Sequence, residues 1–243
     1  MFTRRAVLTL SAGCFGGLLA SSACGRRRSR GFRGFAFVAN EAGRAIAVVD
    51  IGALAVARNI PLDGAPSSII TGTKRPFVYA LTPASGTVHE VAVDRLSFTR
   101  KLAVGATALG MQLSPDESAL YVWSRNPRAL FRIDLDAWKV DWRLALPEEP
   151  NDFVAAADNK TGAVSFGSHV RLVNLASRKL SDPMGKGDFG SLRFLADSRT
   201  MIAADRGARR IGLAQARNNL RRRIQPGQQR RHTLVSVSLG LHS

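Results

Sequence analysis

Phe37-Val38-Ala39-Asn40, Val78-Tyr79-Ala80-Leu81, Tyr121-Val122-Trp123-Ser124 and Val164-Ser165-Phe166-Gly167 are four copies of one phrase. They recur at about forty residues, a period that points to blades when the repeat is built from strands. Ile202-Ala203-Ala204-Asp205 begins a fifth round. In each copy a short apolar strand leads through a polar turn into a second strand ending in Asp or a small polar residue. This pattern predicts an all-β chain: a β-propeller of four-stranded antiparallel blades, about four in number.

The turns carry the usual chemistry of hairpins. Asn40-Glu41-Ala42-Gly43-Arg44, Thr82-Pro83-Ala84-Ser85-Gly86 and Ser124-Arg125-Asn126-Pro127 each separate two runs rich in β-formers. A third strand is expected at 57–62, 98–104 and 140–146, with charges on one side as suits a blade rim. A fourth is expected at 67–71, 109–113, 153–157 and 192–196. These last stretches are apolar or small, as strands covered on both faces should be. Ser114-Pro115-Asp116-Glu117-Ser118 and Ala196-Asp197-Ser198-Arg199-Thr200 read as turns leading into the next round, since Pro fixes φ and Asp bonds its own backbone. A β-sandwich also suits short alternating strands, but the regular four-strand period argues against it.

Phe37-Val38-Ala39-Asn40 followed by Ala47-Val48-Val49-Asp50 resembles the Tyr-Val-Thr-Asn (YVTN) β-propeller repeat. Ser114-Pro115-Asp116 with Leu120-Tyr121-Val122 is similar to that family's inter-blade turn and following strand. The resemblance covers about residues 35–213 and fades at 162–168 and after Leu180. It implies ring closure with about seven blades, whereas at about 42 residues per round 35–213 hold a little over four. The blades are therefore expected to be incomplete or truncated, starting mid-blade before Phe35. Relatives implied by the resemblance include extracytoplasmic binding proteins, surface-layer-like proteins, lactonases and quinoprotein-type dehydrogenases, so the fold alone does not fix a chemistry.

The N-terminus carries an address. Arg4 and Arg5 precede an apolar, Gly-rich run from Ala6 to Ala20, and Ser21-Ser22-Ala23 precede Cys24. A charged start, a short apolar stretch and small residues form an export signal over 1–24. The paired arginines resemble a twin-arginine signal, with Val7 in place of the usual Phe. Cys24 stands where a lipoprotein signal places its lipidated thiol, or is incidental to a Ser-x-Ala cleavage site. The expected location is periplasmic, or anchored on the extracytoplasmic side of the membrane through Cys24. Residues 25–34 read as a basic tether.

The formal charge of +17 is unevenly distributed. All 18 acidic residues lie between Glu41 and Asp205, where they balance nineteen basic ones to within one charge. The excess is confined to the ends, so a broad phosphate-binding face on the body is excluded and nucleic acid is not an expected partner. The segment 214–243 has no acid and reads as an off-pattern, disordered basic tail. It is either the product of truncation or frameshift, or an arm for anionic lipid or nucleic acid. Leu234–Leu239 alternates and could pair as an edge strand. An open arc would leave two apolar blade faces available for self-association.

No HExxH, CxxC or Gly-x-Ser-x-Gly motif occurs. No metal or cofactor is expected, and no catalytic residue is assigned. His89 beside Glu90 reads as an exposed strand pair, and Ser168 beside His169 as chance neighbours on the surface. Gly185-Lys186-Gly187 reads as a turn. Trp123, Trp138 and Trp142 are expected to pack between blades rather than to stack on a ligand. In a propeller the outer-to-inner loops surround the channel mouth. Asp63 on the loop 63–66, with Glu148, Glu149 and Asn151 on the loop 147–151, are therefore the candidate ligand contacts. The function expected is a non-catalytic exported binding or scaffold protein for a protein or small-molecule ligand. The alternative is a lactonase-like or quinoprotein-like propeller enzyme.

Overall fold

The computed structural model describes residues 34–215 and 235–237. Arg4, Arg5, Cys24, the basic tether up to residue 33, and tail residues 216–234 and 238–243 lie outside the described residues.

Five antiparallel sheets follow one another along the chain. The first has three strands, β1 (Phe35–Asn40), β2 (Ala45–Asp50) and β3 (Ala55–Pro61). The second is β4 (Ser68–Thr71), β5 (Phe77–Thr82), β6 (Thr87–Ala92) and β7 (Ser97–Ala103). The third is β8 (Thr107–Leu113), β9 (Ala119–Asn126), β10 (Ala129–Asp134) and β11 (Lys139–Ala145). The fourth is β12 (Asp152–Ala155), β13 (Thr161–Ser165), β14 (Val170–Asn174) and β15 (Lys179–Leu180). The fifth is β16 (Phe189–Phe194), β17 (Thr200–Asp205), β18 (Arg210–Gln215) and β19 (Val235–Val237). Strand order within each sheet follows chain order. These are the blades of a β-propeller: four of four strands, preceded by one of three.

The turns recur because their chemistry recurs. Asp50, Asp134 and Asn174 each end a strand and accept the backbone N–H groups two and three residues on. The last residue of each of those turns then sits at positive φ: Leu54, Trp138 and Arg178 at 52°, 49° and 58°. Asp158 and Asp197 make the equivalent bonds in the tight turns that lead into β13 and β17. The carboxylate or amide offsets the cost of a left-handed residue by satisfying N–H groups the ladder leaves free.

Packing is between consecutive sheets. Val78 and Ala80 of β5 join Ile46, Val48 and Ile60 of the first sheet, while Tyr79 and Leu81 face Met111, Leu120 and Val122 of the third. One step along, Leu120 and Val122 look back while Tyr121 and Trp123 pack on Phe153, Val164 and Phe166 of the fourth sheet. Val154, Ala163 and Val170 then meet Leu192, Met201 and Ala203 of the fifth. The strand period of two thus feeds two separate cores. Strands β4, β8, β12 and β16 pack successively against one another at the hub. Side chains tie two of the joints between these inner strands: Gln112 Oε1 accepts the Ala155 N–H at 2.9 Å, and Asp152 Oδ2 accepts the Leu192 N–H at 2.9 Å.

His89 and Glu90 are not the exposed pair expected from sequence; each is 1% exposed. Strand β6 is covered on both faces by the neighbouring sheets, all six of its residues being buried, so a polar residue there is buried whichever way it points. Glu90 is compensated by both Arg100 Nε and Nη2, at 2.8 and 3.0 Å, and Arg100 also donates to the Leu135 carbonyl of the third sheet. The three tryptophans pack between blades, Trp138 between the second and third and Trp123 and Trp142 between the third and fourth.

At the two ends of the series the outward faces carry exposed apolar residues, Val38 and Val56 on the first sheet and Ile211 on the fifth. Sedimentation velocity is expected to show concentration-dependent association of the wild-type chain, reduced in a Val38→Glu/Ile211→Glu variant. Removing the partner of the buried Glu90 carboxylate by Arg100→Met should cost about 3 kcal/mol in urea unfolding. The double variant Glu90→Leu/Arg100→Met should recover most of that loss.

Candidate functional site

Chain direction places the loops from each outer strand to the next inner strand at one end of the sheets, beside the hairpins that join second and third strands. Asp63 lies on the β3–β4 loop, and Glu148, Glu149 and Asn151 on the β11–β12 loop, so all four candidates fall at this end. They do not form one cluster: among the described residues no hydrogen bond or ion pair joins Asp63 to the other three.

Asp63 caps a buried polar network. Its Oδ1 is 3.2 Å from His89 Nε2 and its Oδ2 2.5 Å from Lys101 Nζ. Thr82 Oγ1 lies 3.1 Å from the same His89 nitrogen and 3.0 Å from Ser85 Oγ, which in turn donates to Thr87 Oγ1. The hydrogen bond from Lys101 holds the Asp63 carboxyl below its usual range, with the His89 charge adding to it against partial burial. Burial holds His89 below its ordinary value, Asp63 opposing and Lys101 assisting. The geometry gives the same direction. With Nε2–H directed at Asp63, protonation would add an N–H at Nδ1, a buried atom with no hydrogen-bond partner.

On the other loop, Glu149 pairs with Arg125 at 2.7 Å, and Glu148 lies 3.9 Å from His169 Nε2. Asn151 braces two blades, its amide Nδ2 donating to the Phe189 carbonyl at 3.0 Å. Ser168 Oγ is 2.9 Å from His169 Nδ1, so these neighbours do touch. Arg171 Nε donates to His169 Nε2, however. A neutral imidazole accepting there carries its proton on Nδ1 and has no lone pair left for the serine proton. The group is not arranged for nucleophilic attack by Ser168.

Beside Asn151, a groove of about 330 Å³ is lined by Asp152, Gly190, Ser191, Ala204 and Arg206. Burial pushes the Asp152 carboxyl up, while the N–H groups of Leu192 and Phe153 and the Arg193 charge pull it down. Arg206 reaches Asp188 at 2.7 Å. The groove thus presents a half-desolvated acid and a guanidinium within one concave surface. Asn151 was the sequence candidate nearest this groove. Asp152, Arg206, Lys101 and Thr82 were missed: Asp152 and Arg206 meet only across two blades, and Thr82 and Lys101 are brought to His89 by the pairing of β5, β6 and β7.

Comparison with known proteins supports the fold. No protein-family model and no curated protein matches the chain. Among solved structures, hydrazine synthase from Kuenenia stuttgartiensis superposes with a TM-score of 0.66 at 16% identity, over 76% of this chain and 60% of that one. A functionally unknown protein from Desulfotomaculum acetoxidans gives 0.67 at 14% identity, over 77% and 63%. Dihydro-heme d1 dehydrogenase NirN, solved in complex with DHE, gives 0.65 at 19% identity, over 81% and 46%. The chain therefore spans less than two thirds of each of these proteins. The likeness is one of propeller fold.

His89 yields a signed prediction. In the unfolded chain it titrates near its ordinary value of about 6.5, whereas the folded chain resists the proton to lower pH. Stability is then constant above that value and falls as pH drops below it, levelling once the folded group is also protonated. Urea midpoints at pH 7.5 and pH 5.5 should differ in the wild type, and differ less in His89→Phe.

Proposed function

We propose that this chain is an exported propeller protein that binds a small polar ligand at the end carrying its outer-to-inner loops. The observation that carries this is the groove beside Asn151, where Asp152 and Arg206 face one concavity next to the inner strands. Ligand sites favour such concave places with a few convergent polar groups. The candidate contacts Glu148 and Glu149 sit on the loop that leads into this groove, and Asp63 lies at the same end. Export rests on Arg4, Arg5 and the apolar run after them, and the membrane tether on Cys24 following Ser21-Ser22-Ala23.

An enzymatic role is the second reading. Two of the three structural neighbours are enzymes by name, and a half-buried carboxyl with a raised pKa is the kind of group that acid–base chemistry uses. Asp152 would be the residue to test.

Two measurements bear on these proposals. Native mass spectrometry of the chain incubated with a periplasmic small-molecule extract should find a ligand retained by the wild type. It should be lost in Asn151→Ala/Arg206→Ala; equal retention by both would move the site elsewhere. Mass spectrometry of the mature N-terminus should find a diacylglycerol-modified Cys24 as first residue. An unprocessed Met1 would remove both the export and the tether.

A further inference from the structure

The first sheet differs from the other four on its hub side. Its strands β1, β2 and β3 hold the places that β5, β6 and β7 hold in the second sheet. Phe35 faces Asp50 as Phe77 faces Ala92, and the Ile51 N–H bonds the Gly34 carbonyl as the Val93 N–H bonds that of Pro76. In the second sheet Tyr79 and Leu81 turn their backbone groups away from β6 and toward Ile70 and Ser68 of the inner strand. Their counterparts on β1 are Phe37 and Ala39. The alternation of an antiparallel ladder, fixed here by the Ile51–Gly34 bond, directs the N–H and C=O groups of Phe35, Phe37 and Ala39 away from β2. Among the described residues none of these groups has a partner.

The edge is also unguarded. The outer strands carry charge, with Arg58 on β3, Arg100 and Lys101 on β7, Lys139 and Arg143 on β11, and Lys179 on β15. Such residues discourage a further strand. Strand β1, Phe-Ala-Phe-Val-Ala-Asn, has neither charge nor proline, and its Phe35 and Val38 are 41% and 49% exposed. The neighbouring blade has not moved over it: β1 lies against β4 as β5 lies against β8.

The equivalent strand β4 shows what this edge accepts. Its sequence is Ser-Ile-Ile-Thr, uncharged and apolar at its centre. A guest residue opposite Phe37 would point toward the second sheet, where Phe37, Ile46, Val48 and Ile69 pack together. The chain's own preceding sequence does not meet this requirement. Carried back from β4 in the same register, the place falls on Arg26-Arg27-Arg28-Ser29. Neither β1 nor β4 offers a carboxylate to compensate three guanidiniums beside apolar side chains. An uncharged segment of another polypeptide meets the requirement, with ladder bonds giving affinity and alternate side chains giving selection.

We propose that the inner edge of β1 is a docking site for an extended apolar segment of a partner protein, which adds as an antiparallel strand along Phe35–Ala39. The site is separate from the groove beside Asn151.

The test is calorimetry of the full-length mature chain with the peptide acetyl-Ser-Ser-Ile-Ile-Thr-amide, the sequence of residues 67–71. Saturable binding is expected. N-methylation of the peptide residue matching Ile70, whose N–H faces β1, should weaken it about tenfold. N-methylation at the residue matching Ile69, whose N–H faces away, should leave it unchanged. Ala39→Pro removes one edge N–H and spares the β1–β2 ladder, so it should weaken binding to a similar extent. If that variant fails to fold, amide hydrogen exchange on the wild type decides. The peptide should slow exchange at Phe37 and Ala39 and leave Val38, already in the ladder, as it was. No saturable binding, equal loss from both methylated peptides, or no protection at Phe37 and Ala39 overturns the proposal. Equally tight binding of an Arg-Arg-Arg-Ser peptide does so by removing the apolar requirement. A wild-type dimer that Ala39→Pro dissolves, with no peptide binding, overturns it by giving the edge to a second copy.

Discussion

Each blade of this protein is buried by the next. A single four-stranded sheet has two apolar faces and cannot hide either one by itself, so the fold is stable only as a series in which every sheet supplies the cover for two others. Val78 and Ala80 belong to one core and Tyr79 and Leu81, one residue away on the same strand, to another. The middle strands β6 and β13 consequently have no solvent side at all. The ionisable residues buried on β6 accordingly bring partners, Glu90 with Arg100 and His89 with Thr82 and Asp63.

The same constraint distributes the chemistry. Because the strand faces are occupied by packing, concave surface with free polar groups arises at the two ends, where turns from adjacent blades meet. At one end the outer-to-inner loops bring Asn151 and Asp152 beside Arg206. At the other, the turn around Asp116 and that around Asn159 line one cleft together with Arg132. Both concavities are assembled from consecutive blades, so each is a property of the seam and of neither sheet alone.

This explains what could be read from the amino-acid order. The hairpins were legible because their signals are local. Asn40, Asp50 and Asp197 bond the N–H groups of their own turns, and the apolar runs between them are bounded by Gly, Pro and Asn. Strand limits accordingly differ by only a few residues, as for the third strand of the first round, expected at 57–62 and found as Ala55–Pro61. His89 was misjudged because alternation marks exposure only in a sheet with one wet face, and β6 has none. The tie between Asp63 and Lys101, thirty-eight positions apart, and the pairing of Arg132 with the turn at Ser118 leave no periodic trace. Candidate contacts on loops could be proposed from topology, but the groove that Arg206 completes could not.

The hub bonds of Gln112 and Asp152 have a direction. Each reaches forward, from one inner strand to a backbone N–H of its successor. A single substitution at either position would therefore unlatch one seam while leaving the internal ladders of both sheets whole. Mechanical or thermal opening of such an assembly should proceed joint by joint, with each joint's energy set by its two flanking members, as in other linear arrays of repeated units.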